Sequence, residues 1–212
     1  MVGVEEKSRL VDEFSTQVQR HFPDSVWRSF FEERSARASF GSAQRTLLCV
    51  ECPAEGPFTR EGVVACLKRL ARRHDGVVDP CADEFAFVSF ADPEDALRVA
   101  VELQRLVPRA RLRMGLGSGR CRMALCKTGE LDFLMLLGSE RARIEALTRR
   151  AAPGTLQLAP EAYDSLQDMI GNDLGSCLVL VEYDEDVLTE VSLTLPPDAT
   201  ADVSTFAGLG LT

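Results

Sequence analysis

Hydrophobic residues recur along this chain with two different periods, and each period predicts a type of element. Near the N-terminus, spacings of three and four residues indicate an amphipathic helix in which Leu10, Phe14 and Val18 form one stripe. Short runs rich in β-branched and aromatic residues predict strands, first at 46–52 and then in a hairpin over 76–90. Helical and strand patterns alternate in this way through most of the sequence.

The order of the predicted elements indicates the fold class. In chain order they are a helix at 4–22, a short helix to residue 31 capped by Asp24 or Ser25, a polar connector at 36–42, a strand at 46–52, a helix capped by Thr59, the hairpin at 76–90, a helix opened by Asp92, a strand at 112–117, a second hairpin at 122–137, a helix at 138–151, a strand at 155–158, a helix from Pro160 and a closing hairpin at 178–195. The central β-α-β-β-α-β order predicts an α+β fold, ferredoxin-like with extra C-terminal strands. We expect an N-terminal helical extension over 1–44, one domain over 45–195, and an acidic, polar tail over 196–212.

Composition and charge narrow the classes of partner. With 212 residues, 45% hydrophobic and 27% charged, the chain can bury one sizeable core. No apolar run approaches the roughly 18 residues of a membrane span, and the N-terminus lacks a secretory pattern, so we expect a cytoplasmic protein. The net charge is −9, and seven acidic residues but no lysine or arginine lie after residue 177. Because the chain presents no basic face, no nucleic-acid partner is expected.

The cysteines indicate buried thiols. Seven cysteines in a chain without a signal sequence are typical of a reduced protein. Cys49 and Cys52 have the spacing of a redox or zinc motif, but inside a strand residues three apart point to opposite faces. A zinc site that uses Cys52 and Cys81 would need two further ligands, and the chain has only two histidines.

Acidic residues stand where two predicted strands end. Glu51 lies near the end of the first strand, and Asp83 and Glu84 follow the turn of the hairpin. If these strands pair, the carboxylates converge at one edge of the sheet, which is the ligand set that Mg²⁺ prefers. The alternative is that these acidic residues are simply solvated at strand ends and turns.

Several short motifs follow one another at characteristic spacings. They are the run from Thr46 to Glu51 with Phe58 and Thr59 after it, the run from His74 to Val78, Asp83 and Glu84 before the aromatic strand end at Phe90, Asp95 and Ala96 at a helix start, the glycine-rich run from Met114 to Gly119, and the segment from Gly138 to Gly154. Together they resemble the catalytic domain of the class III adenylate and guanylate cyclases over residues 23–195. The resemblance implies that family's fold and a dimer with its active sites between subunits.

The resemblance also implies metal and base-selecting positions. In the family two aspartates bind two metal ions, and Glu51 stands at the first of these positions. The second falls on Glu84 by an ungapped count, or on Asp83 if the count is shifted by one residue. The family's base-selecting lysine corresponds to Pro80, which has no donor. We expect no resident cofactor and at most weak binding of Mg²⁺ or Mn²⁺ at Glu51 with Asp83 or Glu84.

The remaining catalytic positions of the family are also changed. The asparagine and arginine that the partner subunit supplies correspond to Ala142 and Ala146, and a base-selecting carboxylate corresponds to Phe133, with Asp132 out of register by one residue. Arg143 neighbours one of these alanines, but a helical neighbour is rotated by 100°, so we expect Arg143 to be solvated. Loss of one preorganised group that faces developing charge costs roughly a hundred- to a thousandfold in rate.

These departures predict a degenerate cyclase-homology domain that is catalytically inactive and acts as a dimerising regulatory or protein-interaction module in signalling. Two alternatives remain open: a divergent active cyclase that makes cyclic nucleotide from ATP or GTP with Mg²⁺ or Mn²⁺, and a non-catalytic nucleotide sensor.

The expected assembly is a homodimer, or a heterodimer with an intact cyclase or another signalling protein. We expect a dimer because the chain has more apolar residues than one sheet face and two helices can bury. These residues are Leu10, Phe14, Val18, Leu134, Leu136 and Ile144. The alternative is that they complete the core of a single chain.

Overall fold

The computed structural model describes residues 4–52, 59–81, 84–107, 110–128, 132–172, 178–184 and 187–194. The helices are α1 (Val4–His21), α2 (Asp24–Phe31), α3 (Arg60–Arg73), α4 (Pro93–Leu106), α5 (Ser139–Arg150) and α6 (Pro160–Asn172). The strands are β1 (Arg37–Glu51), β2 (Val77–Val78), β3 (Phe85–Phe90), β4 (Met114–Lys127), β5 (Asp132–Leu137), β6 (Thr155–Leu158), β7 (Leu178–Asp184) and β8 (Val187–Thr194). Over these ranges, no helix is both long enough and apolar enough to cross a membrane.

The strands form one mixed sheet. Its order is β2-β3-β1-β4-β6-β8-β7, with β5 paired to β4 off this path. The pairing is antiparallel except between β4 and β6. The first four strands have the order 2-3-1-4 and are connected through α3 and α4, which is the arrangement of a ferredoxin-like sheet. The predicted α+β class, with extra strands after the ferredoxin-like part, is confirmed.

Two helices begin at the residues that the sequence indicates. The side chain of Thr59 accepts a hydrogen bond from the amide of Gly62 at 3.2 Å, and that of Asp92 accepts one from the amide of Glu94 at 2.9 Å. The predicted cap of α2 is wrong. Its cap position is Pro23, without a side-chain hydrogen bond, and Asp24 is already inside the helix.

The first strand is longer than predicted. The segment over 36–42 was expected to be a polar connector, but β1 begins at Arg37 and pairs with β4 as far as Lys127. Half-buried Ala38 and Phe40 alternate with exposed residues and pack against the cluster beneath α1 and α2. Pairing with β4 thus imposes a strand on a sequence that has little local preference for one.

The predicted break between a strand at 112–117 and the next hairpin is also wrong, because β4 runs unbroken from Met114 to Lys127. The glycines of β4 obscure the strand pattern in the sequence. A Cβ atom at Gly115 would lie 2.4 Å from the hydroxyl of Thr148, and one at Gly117 would lie 2.3 Å from Cδ1 of Ile144. Glycine at these positions therefore lets α5 approach the sheet closely.

The N-terminal half of β1, the C-terminal half of β4, and β5 form a three-stranded extension of the sheet, which we call the arm. Helices α1 and α2 cover one face of the arm, and their shared apolar cluster includes Leu10, Phe14 and Val18. On the main sheet, α3, α4 and α6 supply a second cluster, and α5 covers the opposite face with a third.

The arm shows how one chain buries the apolar residues on which the expectation of a dimer rests. Phe14 and Val18 are 2% and 0% exposed, Leu136 and Ile144 are buried, and Leu134 is partly buried. The arm offers a second apolar face, which the sequence pattern did not reveal, and α1 packs there. The stripe on α1 is therefore part of the core of the chain.

We predict that Phe14→Ala lowers the free energy of unfolding by about 3–5 kcal/mol. The ring of Phe14 lies 5.2 Å from that of Phe30 and 5.7 Å from that of Phe40, so its loss leaves a cavity between α1, α2 and β1. Urea unfolding followed by circular dichroism measures the change. Arg9→Ala, at an exposed position of the same helix, is the control. A loss below about 1 kcal/mol for Phe14→Ala would mean that α1 is not integral to the fold.

Candidate functional site

The carboxylates of the predicted metal site lie at one edge of the sheet. Glu51 is the last residue of β1 and pairs with Phe85, the first residue of β3. The amide of Cys52 donates to the carbonyl of Glu84 at 2.7 Å, which fixes the backbones of both strand ends side by side. The backbones at Glu51 and Glu84 are therefore adjacent, and Asp83 lies outside the described residues.

Each of the two carboxylates has an arginine of the same chain as its partner. Arg113 donates to Oε2 of Glu51 at 3.4 Å, and Arg149 donates to Oε2 of Glu84 at 3.2 Å. Arg149 also binds Glu145 at 2.8 Å. A guanidinium group that neutralises a carboxylate competes with a metal ion for the same oxygens.

The donor set is therefore a poor fit for a divalent cation. Within the ranges that the structure describes, no group of three or more histidine, cysteine, aspartate or glutamate residues could hold a metal ion. Side chains of Gln17, Arg20 and His21 from α1 meet Glu84 and Arg149 around a cavity of about 170 Å³ at this edge. Small-molecule sites are typically about 300–1,000 Å³, so this cavity is too small for a nucleotide.

A buried ion pair lies next to this edge, and the sequence analysis did not find it. Asp79, in the segment after β2, is 1% exposed and binds Nη1 of Arg141 on α5 at 2.7 Å. Its carboxylate also accepts hydrogen bonds from the amides of Cys81 at 2.8 Å and Leu136 at 3.0 Å. The side chain of Arg141 lies over the ring of Phe87, with 4.6 Å from its guanidinium carbon to the ring centre.

The environment of Asp79 acts on its pKa in two directions. Burial raises the pKa of this carboxyl above its ordinary value of 3.8, while the charge of Arg141 and the two backbone amides lower it. In the sequence, Asp79 falls in the predicted turn of the hairpin, where acidic residues are commonly solvated. No local pattern in the sequence pairs Asp79 with Arg141, because 62 residues separate them.

The other family positions differ in their surroundings. Ala142 and Ala146 are exposed on α5, and Pro80 is half-buried in the segment between β2 and β3. Phe133 faces α1 and stacks on Phe22 with 4.7 Å between ring centres. Asp132 begins β5 one residue earlier, and its side chain lies outside the described part of the structure.

Arg143 is 40% exposed, as its position predicts, and its guanidinium also forms hydrogen bonds within the chain. It donates to Glu140 on its own helix at 2.9 Å, to Glu161 on α6, and to the carbonyl of Ser118 on β4 at 3.4 Å. These bonds connect α5 to its neighbours. Its guanidinium is engaged within this chain and does not replace the donor that is missing at Ala142.

The described cysteines are buried thiols, as predicted. Cys49 belongs to the cluster under α5 and Cys52 to the cluster on the opposite face, so the strand separates the two sulfurs. Burial raises the pKa of the Cys52 thiol to about 11. Cys81 lies in the α1 cluster, which rules out the zinc site of Cys52 with Cys81.

We predict that Arg141→Ala lowers the free energy of unfolding by about 3–5 kcal/mol near neutral pH, because the carboxylate of Asp79 stays buried without its partner. The variant raises the folded-state pKa of Asp79 further above 3.8. Folding then favours the protonated acid, and stability falls as pH rises from 3.8 through the folded-state value. The deficit is therefore larger at a pH of about 7.5 than at about 5, as urea unfolding can measure.

Arg149→Ala is the matched control for that experiment, since its side chain is 54% exposed and its ion pairs are at the surface. We expect a loss below about 1 kcal/mol with no comparable pH dependence. Equal losses for both variants at both pH values would contradict the buried ion pair.

Comparison with solved structures identifies the fold. No protein-family model matches the sequence, and no curated protein matches it. The structure is similar to the adenylyl cyclase CyaB from P. aeruginosa, with a TM-score of 0.55 and 12% identity over 76% of this chain and 98% of that one. It is similar to a bacterial light-regulated adenylyl cyclase, with a TM-score of 0.52 and 14% identity over 98% of this chain and 68% of that one.

A third similar structure is the non-canonical dimeric guanylyl cyclase domain of the RhoGC fusion protein from Blastocladiella emersonii. Its TM-score is 0.50, with 12% identity over 73% of this chain and 98% of that one. At such identities the similarity establishes the fold and not the activity. The chain has the fold of the class III adenylyl and guanylyl cyclase catalytic domains.

Proposed function

We propose that this protein is a catalytically inactive class III cyclase-homology domain that dimerises and acts as a regulatory module in signalling. The observation that carries the proposal is the pairing of both described carboxylates with arginines, Glu51 with Arg113 and Glu84 with Arg149. In an active site of this fold, these oxygens would face metal ions and a triphosphate. Here an arginine of the same chain lies against each carboxylate and competes for the same oxygens.

The residues that α5 carries at the family's catalytic positions support the same proposal. Ala142 and Ala146 stand at the two positions from which the family stabilises substrate and transition state, and a methyl group donates no hydrogen bond. Two such losses, at roughly a hundred- to a thousandfold each, would together remove most of a cyclase's rate. The missing donor at Pro80 weakens base selection as well.

The active-cyclase and nucleotide-sensor alternatives make different demands on the carboxylate edge. Turnover requires two metal ions there, so Glu51 would have to exchange Arg113 for a cation. Sensing without turnover requires room for a nucleotide, and within a single chain the cavity next to Glu84 measures about 170 Å³. Neither requirement is favoured by the contacts at this edge.

We predict no cyclic nucleotide above background when the purified protein is given ATP or GTP with Mg²⁺ or Mn²⁺. Production of cyclic AMP and cyclic GMP is measured by mass spectrometry for the wild-type protein and for Glu51→Ala. Both are expected to match a heat-inactivated sample. Product that forms with the wild-type protein and disappears with Glu51→Ala would establish the active-cyclase alternative.

The face of the arm that α1 does not cover is the surface we propose for dimerisation. Leu125 on β4 is 45% exposed, and Met123 and Leu134 beside it are only partly buried. On β1 the strand opposite them presents Ser39 and Gly41, where a Cβ atom at the glycine would meet open space. A flat, partly apolar face of this kind suits a second copy of the chain, and one similar structure is described as dimeric. A heterodimer with an intact cyclase would use the same face.

We predict that Leu125→Glu shifts the protein from dimer to monomer at tens of micromolar, because the substitution places a charge in the apolar contact. Sedimentation velocity measures the distribution. The control is Arg98→Glu, a charge change at an exposed position of α4 that leaves the arm untouched. A wild-type protein that is monomeric at this concentration would rule out the homodimer and leave only a foreign partner.

A further inference from the structure

A second, larger cavity lies away from the carboxylate edge, between α1, the arm and the start of α5. Its volume is about 630 Å³, within the range of about 300–1,000 Å³ that is typical of small-molecule sites. Apolar surface comes from Leu10, Phe40 and Leu137. None of the residues at the family's catalytic positions lines this cavity.

The rim of the cavity carries cations. They are Lys7 on α1 and Arg120 and Arg122 on β4, and two acidic residues also line the cavity, Glu6 and Glu140. Both acidic residues are engaged, since Glu6 binds Arg122 and Glu140 binds Arg143.

The two remaining cations are available to a ligand. Arg120 donates to the hydroxyl of Ser42 at 3.0 Å, and in the described part of the chain neither Lys7 nor Arg120 forms an ion pair with a carboxylate. The chain as a whole carries a charge of −9, so a cationic rim does not follow from its composition. Cations without a carboxylate partner, next to an apolar surface, favour a ligand that joins an anionic group to an apolar group.

The start of α5 adds to this preference. The helix has twelve residues, and its cap residue Gly138 provides no side-chain hydrogen bond to the first turn. Ser139, the first residue of the helix, lines the cavity. A helix N-terminus carries partial positive charge, which favours an anion nearby, and a carboxylate of the same chain already lies here, since Glu13 accepts a hydrogen bond from the amide of Gly138 at 2.7 Å.

We propose that this cavity is a binding site for a small amphiphilic anion, with a phosphate or carboxylate head group on a short apolar chain. The head group binds between Lys7, Arg120 and the first turn of α5, and the apolar chain lies on Leu10, Phe40 and Leu137. The site does not depend on the proposed loss of catalysis, because it shares no residue with the carboxylate edge.

Isothermal titration calorimetry with four probes tests the site. Octyl phosphate and octanoate carry both features and differ in the head group, 1-octanol lacks the charge, and inorganic phosphate lacks the chain. We expect one equivalent of octyl phosphate or octanoate to bind, and the tighter of the two identifies the head group. The octanol and inorganic phosphate affinities should each be at least about tenfold lower, which corresponds to the loss of about 1.4 kcal/mol.

Variants locate the binding. Arg120→Gln and Lys7→Gln should each weaken the better amphiphile about tenfold, and Ser42→Trp should abolish binding by filling the cavity from an exposed strand position. Arg98→Gln on α4 is the control and should bind as the wild-type protein does. Circular dichroism verifies that each variant is folded.

The proposal is overturned if neither amphiphile binds below about 1 mM, if octanol binds as well as the charged probes, or if Arg120→Gln and Lys7→Gln both bind like the wild-type protein. The two glutamine variants change exposed charges, so the test stands even if Ser42→Trp does not fold. Cyclase activity does not enter these readouts, and failure of this site therefore leaves the proposed function unaffected.

Discussion

The ion pair between Asp79 and Arg141 joins three parts of the molecule that are distant in sequence. Through Asp79 the segment after β2 is held against the backbone of β5, and through Arg141 both are held to α5. A carboxylate that has left water must receive all its hydrogen bonds from the protein, and this one receives them from two amides and a guanidinium. The position of β5 depends on that arrangement, and so do the arm and the surface on which α1 packs.

Arginines bind the carboxylates at and next to the carboxylate edge. Arg113, Arg141 and Arg149 all bind carboxylates of the same chain at the edge formed by β1, β3 and α5. A guanidinium of the same chain balances the charge of a carboxylate without a bound ligand.

The sequence was most informative where one element decides its own structure. The caps at Thr59 and Asp92 act through a local hydrogen bond, and the faces of Cys49 and Cys52 follow from strand alternation, so each could be predicted. The fold class followed from the order of the elements.

The features that the sequence did not reveal depend on contacts between distant segments. The N-terminal half of β1 is a strand because β4 pairs with it, and Asp79 is buried because β5 and α5 close over it. Local propensity carries no record of such partners. The arginine partners of Glu51 and Glu84 were missed for the same reason, since each comes from an element more than 60 residues away in the chain.

The continuous pairing of β1 with β4 also limits how motion can pass through the molecule. Fourteen consecutive residues of β1 are in register with β4, so the ribbon is about 45 Å long and connects the face under α1 with the end that carries Glu51. Sliding one strand by a single residue would turn every side chain to the opposite face and expose both apolar clusters. A displacement of α1 can therefore reach Glu51 only as a tilt or twist of the two paired strands together, and not as sliding of one strand along the other.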